Sequence, residues 1–221
     1  MIQAVLFDLD GTLLNRDASV VSFIDDQYER MHGSLGHIPK DVYAERFIEL
    51  DRRGYVWKDR VYAQLIQEFG IEQTTMENLL EDYLAHFRFH CVPFDGLQAM
   101  LESLKQQGMK LGIISNGKGK FQMDNIKALG IEKCFDAILI SESENLRKPN
   151  PRIFDRAMAR LNVLPPQSLF VGDHPTSDVE AAKNAGMIGV WKKDFYWNEA
   201  EADYAIDELD EVNRIVQKLN A

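Results

Sequence analysis

The stretch Ala4-Val5-Leu6-Phe7-Asp8-Leu9-Asp10-Gly11-Thr12 decides how the rest of the chain is read. A short apolar run fits a buried strand, and two carboxylates follow it at once. Side chains alternate along extended backbone, so Asp8 and Asp10 share one side while Leu9 turns away. Two anions this close repel, and either a cation or a shared proton must hold them together. A divalent metal does this well, and oxygen-only ligands suit magnesium. Gly11-Thr12 then supplies a tight turn where backbone can approach a ligand closely. The same residues also fit an ordinary turn capped by an aspartate, so the other strand ends must be read beside them.

From about residue 17 to residue 90 the period is helical. Val20, Ile24, Tyr28 and Met31 fall on one face, and Tyr43, Phe47 and Leu50 on another. Tyr62, Leu65, Ile66 and Phe69 form a third stripe. Met76, Leu79, Leu80, Tyr83, Leu84 and Phe87 form a fourth. Gly33-Ser34-Leu35-Gly36 and Phe69-Gly70-Ile71 read as breaks. After Pro93, strands and helices alternate. Strands are expected at residues 110–115, 137–141, 168–172, 188–191 and 204–206. Helices are expected at 95–107, 121–129, 151–162, 178–185 and 208–219. Apolar runs such as Leu111-Gly112-Ile113-Ile114 predict a parallel sheet covered on both faces. The predicted fold is α/β: a Rossmann-like parallel sheet in three layers, α/β/α, built from residues 1–15 and 92–221. An all-helical cap domain, residues 16–91, is inserted in it.

The 221 residues are 45% hydrophobic and 27% charged, which is ordinary for a globular protein. A net charge of -10 argues against nucleic acid or an anionic membrane as partner. No apolar run is long enough to span a bilayer, and the N-terminus lacks signal-peptide character. Cys91 and Cys134 have no metal-binding spacing. A cytoplasmic protein with reduced thiols is expected, a monomer by default with a dimer as alternative.

In parallel sheets ligands sit beyond the carboxyl ends of the strands. Ser115-Asn116-Gly117 ends one strand, where a hydroxyl and backbone amides suit a phosphate oxygen as well as a plain turn. In Lys148-Pro149-Asn150-Pro151, Asn150 fits a helix cap and Pro151 a first helical turn. Lys148 is then either a solvated lysine or an ammonium fixed for phosphate charge. In Gly172-Asp173-His174-Pro175-Thr176-Ser177-Asp178, Asp173 emerges beside Asp8 and Asp10 as a candidate third oxygen ligand. Asp178 fits a helix start, and His174 a loop histidine that shapes the pocket.

These four segments, in this order, resemble the haloacid dehalogenase-like (HAD) superfamily of hydrolases over essentially the whole chain. Asp8-Leu9-Asp10-Gly11-Thr12 matches its first motif, Ser115 its second and Lys148 its third. Asp173 with Asp178 matches its fourth. The helical insert resembles the cap of the phosphoglycolate phosphatase and beta-phosphoglucomutase branch. The resemblance implies a magnesium-dependent phosphatase working through an aspartyl-phosphate. Asp8 would be the nucleophile and Asp10 the general acid and base. Ser115, the backbone at Asn116 and Lys148 would hold the phosphoryl group. Asp8, Asp173 and the Asp10 main-chain carbonyl would bind Mg2+; Asp178 would orient Lys148 or metal-bound waters, and Thr12 would support the set from behind. Asp10 implies phosphoryl rather than carbon–halogen chemistry.

The implied substrate is a small phosphorylated metabolite. A phosphomutase, or a non-catalytic phosphometabolite sensor, are the alternatives on the same fold. The cap is expected to select substrate and exclude water. Its polar candidates are Arg16, Arg46, Arg52, Arg53, Lys58 and Arg60; the stretch Asp51-Arg52-Arg53-Gly54-Tyr55-Val56-Trp57-Lys58 fits a substrate loop and equally a solvated turn between two helices.

Overall fold

The computed structural model describes residues 1–221. They form two compact units, Met1–Asn15 with Pro93–Ala221, and Arg16–Val92.

The first unit is built on six parallel strands: β1 (Ala4–Phe7), β2 (Lys110–Ser115), β3 (Ala137–Ile140), β4 (Ser168–Gly172), β5 (Ile188–Lys192) and β6 (Tyr204–Ile206). Their order is β3-β2-β1-β4-β5-β6, as in a Rossmann-like sheet. β1 is central. Val5 pairs with Leu111 on one side and Leu169 on the other, and Phe7 with Ile113 and Val171. All four β1 residues are fully buried, which is why the strand reads as a continuous apolar run. Leu6, Ile114, Leu139 and Phe170 pack with Ile153, Phe154, Met158 and Leu161 of the helix Pro151–Leu161. Phe154 meets Phe170 edge to face at 5.1 Å. Each such side chain contributes roughly 2 kcal/mol by leaving water.

That helix begins as its sequence dictates. Asn150 Oδ1 accepts from the Arg152 amide at 3.1 Å, and Pro151 fills the first turn. The helix expected at 178–185 departs from prediction. A wide π-type turn, Pro175–Glu180, comes first, and only Ala181–Asn184 is α-helical. His174 Nδ1 caps the turn by accepting from the Thr176 and Ser177 amides at 3.1 and 3.2 Å. Asp178 is held within it by the His174 amide, 3.1 Å from Asp178 Oδ2.

The second unit is helical: Arg16–Arg30, His32–Leu35, Lys40–Asp51, Lys58–Phe69 and Met76–His86. Aromatic pairs join the helices, Phe23 with Tyr83 at 5.1 Å and Phe47 with Tyr62 at 5.5 Å. Two details correct the sequence reading. The expected break at Gly33–Gly36 contains a single helical turn, because Leu35 is buried and anchors it. In the fourth stripe Leu84 is 40% exposed while Asp82 turns inward. Asp82 is drawn in by Gln27 Nε2 at 2.9 Å and by Arg30. No helix of the chain is long and apolar enough to cross a membrane.

Candidate active site

Strand order reverses between β1 and β4, and the crevice beyond the carboxyl ends of such strands is where α/β sheets bind ligands. β1 delivers Asp8 and Asp10 there, β2 delivers Ser115, and β4 delivers Asp173. The Asp8 amide is still tied to the sheet, donating to Val171 O at 2.9 Å. The chain then folds back on Leu9, whose carbonyl accepts from the Leu13 and Leu14 amides at 2.9 Å each. Gly11 takes φ +85° in this turn, and a Cβ there would lie 2.5 Å from Asp173 Oδ2. Only glycine meets both conditions, positive φ and the close carboxylate.

Lys148 is no solvated lysine. It is 3% exposed, with Nζ 2.6 Å from Asp8 Oδ1 and 2.7 Å from Asp178 Oδ1. Asn116 places it. Its Oδ1 accepts from the Lys148 amide and its Nδ2 donates to the Lys148 carbonyl, both at 2.9 Å. The Asn116 side chain is therefore spent on the lysine's backbone and does not face a ligand. Burial opposes the Lys148 charge, but Asp178 and Asp8 outweigh it and push the pKa up.

The carboxylates are under opposite pressure. Burial raises the Asp8 pKa to about 7; Lys148 pulls it down, and Asp178 and Asp10 push it further up. Burial also lifts Asp173 well above the usual carboxylate range, with Asp8 and Asp178 adding to it. Oxygens of Asp8, Asp173 and Asp178 lie within 4.8 Å of one another. Three carboxylates against one ammonium, all oxygen donors, fit a hard divalent cation such as Mg2+. The buried Thr12 Oγ1 has no protein partner and offers one more oxygen in the turn beside them.

The Asp10 carboxylate is not one of that trio. It is half-buried, and its Oδ2 accepts from Gln122 Nε2 at 2.5 Å. Gln122 also donates to Ser115 Oγ at 2.7 Å. Sequence reading did not single out Gln122, since a glutamine on an amphipathic helix carries no signal of what it will meet. His174 shapes the loop as expected: its ring rests on Trp197 at 4.6 Å, and burial pushes its pKa down. Trp191 Nε1 steadies the next turn, donating to Asp173 O at 2.8 Å.

Within the helical unit four of the expected substrate residues, Arg16, Arg46, Arg53 and Lys58, meet carboxylates of the same unit. Lys58 is 1% exposed and bonds to Asp51, whose other oxygen accepts from Arg16 at 2.7 Å and from the Gly54 amide at 2.9 Å. A lysine and an arginine so placed close a turn; they do not await a ligand. Arg46 is bound to Glu68 at 2.6 Å and to Glu49 at 2.5 Å on the surface. Arg52 and Arg53 both take left-handed backbone, with φ 47° and 56°. Arg53 reaches Asp17 at 3.5 Å.

Comparison with known proteins gives the family. The glyceraldehyde 3-phosphate phosphatase of Methanocaldococcus jannaschii is 31% identical over 99% of this chain and 99% of its own. That of Pyrococcus furiosus is 35% identical, matched over 57% of this chain and 55% of its own length. The structure of the HAD-family protein YfnB from Bacillus subtilis, bound to magnesium, superposes with a TM-score of 0.78. It is 25% identical, covering 97% of this chain and 98% of that one. The sequence profile of the haloacid dehalogenase-like hydrolases matches residues 5–192, and the chain belongs to that family.

Proposed function

We propose that this protein is a magnesium-dependent phosphatase that hydrolyses small phosphomonoesters through a phosphorylated Asp8. The observation that carries the reading is the cluster of buried Asp8 and Asp178 with half-buried Asp173, the first two paired with one buried lysine, Lys148. Such a site holds excess negative charge that a divalent cation would neutralise, and a lysine that would face phosphate. The relatives named as glyceraldehyde 3-phosphate phosphatases support the same chemistry.

Asp8 and Asp173 would hold Mg2+ with the Asp10 main-chain carbonyl, and Asp178 is near enough to take part or to steer Lys148. The ion supplies charge that lets an anionic carboxylate approach an anionic phosphate. In the first step an Asp8 oxygen forms a bond to phosphorus as the ester P–O bond breaks. Asp10 gives its proton to the departing alkoxide, which leaves as the alcohol. In the second step Asp10 takes a proton from water, whose oxygen bonds to phosphorus, and the Asp8–phosphorus bond breaks. Orthophosphate leaves and Asp8 is restored. Ser115, the Asn116 backbone and Lys148 would balance charge spreading over the phosphoryl oxygens.

The test is phosphate release from a panel of phosphomonoesters that includes glyceraldehyde 3-phosphate, with Mg2+ or chelator, in wild type and Asp8→Asn. The expected result is Mg2+-dependent release that Asp8→Asn abolishes. Release that persists in Asp8→Asn, or no release from any ester, would refute the reading.

A further inference from the structure

Gln122 lies in the helix Gly119–Ala128, and its side-chain amide joins two groups from different strand ends. Nε2 is 2.5 Å from Asp10 Oδ2 and 2.7 Å from Ser115 Oγ, so the two N–H bonds of one amide serve both. The other end of the amide is fixed too. Oε1 accepts from Asn125 Nδ2 at 3.2 Å, one helical turn on. With its oxygen engaged there, the amide must present its NH2 to Asp10 and Ser115. Gln122 and Asn125 are 2% and 0% exposed, so water does not substitute for these bonds. Gly117 makes the room: a Cβ at that position would lie 2.7 Å from Gln122 Cγ and 3.0 Å from Cδ. The glycine after Ser115-Asn116 thus serves the glutamine's packing as well as the turn.

We propose that Gln122 is a positioning residue that presets the Asp10 carboxylate and the Ser115 hydroxyl for phosphoryl transfer. This rests on the roles given to Asp10 and Ser115 above. The bond to Asp10 Oδ2 fixes the carboxylate's orientation and leaves Oδ1 to exchange the proton with the leaving or attacking oxygen. Ser115 Oγ, because it accepts from Gln122, directs its own O–H elsewhere, toward a phosphoryl oxygen. One amide therefore aligns the proton shuttle and a phosphate donor before substrate arrives, which is where preorganised polar groups act most strongly.

The discriminating experiment compares Gln122→Met, which keeps the reach but lacks the donor, with Gln122→Glu, which keeps the shape but substitutes an acceptor. Each is assayed for kcat/KM on an alkyl phosphate and on p-nitrophenyl phosphate, and for inhibition by orthophosphate. An alkoxide needs a proton to depart, whereas p-nitrophenolate does not. Gln122→Met is expected to lower kcat/KM on the alkyl ester by on the order of 10- to 100-fold, and distinctly less on the p-nitrophenyl ester. Orthophosphate inhibition should weaken several-fold. Gln122→Glu should be worse than Gln122→Met on the alkyl ester, since it sets a second carboxylate against Asp10. Gly117→Ala, which presses on Gln122 from the other side, should reproduce the same selectivity, and serves if a Gln122 variant fails to fold. Equal losses on both esters with unchanged phosphate inhibition would mark a purely structural residue and overturn the proposal. So would wild-type kinetics. An active wild type silenced by Asp8→Asn, with Gln122→Met unaffected, refutes only this role; a wild type that neither turns over esters nor binds orthophosphate refutes the site reading beneath it.

Discussion

In the helical unit Asp51 is buried beside two cations, Arg16 at 2.7 Å and Lys58, while in the α/β unit Lys148 stands among Asp8, Asp178 and the nearby Asp173. Asp51 and Lys58 in the first cluster, and Asp8, Asp178 and Lys148 in the second, are buried. The first is satisfied by protein alone, and its job is to close the turn at residues 51–58. The second has more anion than its lysine neutralises; burial above all pushes Asp8 up to about 7, with Asp178 and Asp10 adding to it against the pull of Lys148. A buried charge left short of partners is costly to keep. Finding it at a sheet's ligand-binding edge points to a group that arrives from solution to complete it.

The contrast can be broken from either side. Asp8→Asn is expected to reduce turnover by on the order of 10^4-fold or more, with the circular dichroism spectrum and cooperative unfolding retained. Lys58→Met should do the reverse to the fold, leaving Asp51 with one cation fewer. A loss of about 3 kcal/mol is expected in urea unfolding.

Metal and pH sharpen the comparison at smaller scale. The Asp8 carboxyl ordinarily titrates at 3.8 and is raised to about 7 in the folded chain. The folded state therefore binds that proton more tightly than the unfolded state. Its contribution to stability is complete below pH 3.8 and is lost as pH rises through about 7. Melting of the metal-free chain followed from acid to pH 8 should show this decline. Mg2+ should raise the melting temperature at pH 8 by a few degrees, on the order expected for a ligand well above its Kd. Asp8→Asn should flatten the pH slope and remove most of the Mg2+ effect. The smallest effect belongs to the surface: Arg46→Ala, which breaks exposed pairs with Glu49 and Glu68, should leave the melting temperature unchanged within scatter.

Much of the sheet was legible in the sequence, because its strands are apolar runs ended by turn residues. β2, β4 and β6 span the expected residues, and the polar side chains at the ends of β1, β2 and β4 converge on one edge. These features depend on near neighbours. What was not legible depends on distant ones. Whether Gln122 faces solvent or Asp10 is decided by a contact across 112 positions. Read from its neighbours in sequence alone, Lys148 fits either a solvated lysine or a fixed ammonium, and the partner that decides between them, Asp8, is 140 positions away. Lys58, seven residues from Asp51 across a turn, resembled a substrate-facing lysine because its partner lies behind a change of chain direction. The π-type turn at 175–180 escaped notice because Pro175, His174 and Asp178 override helical periodicity together.

The central claim is that Asp8 carries the phosphoryl group. It is tested most directly by trapping that group on a chain whose second step is slowed. Asp10→Ala removes the residue that would activate water, and p-nitrophenyl phosphate needs no proton on its leaving group. Incubation with Mg2+, acid quenching and peptide mass mapping should find one phosphoryl group on the peptide containing Asp8, removed by hydroxylamine and absent in the Asp8→Asn, Asp10→Ala double variant. Release of p-nitrophenolate with no phosphorylated peptide, or with the phosphoryl group on another residue, would contradict the account.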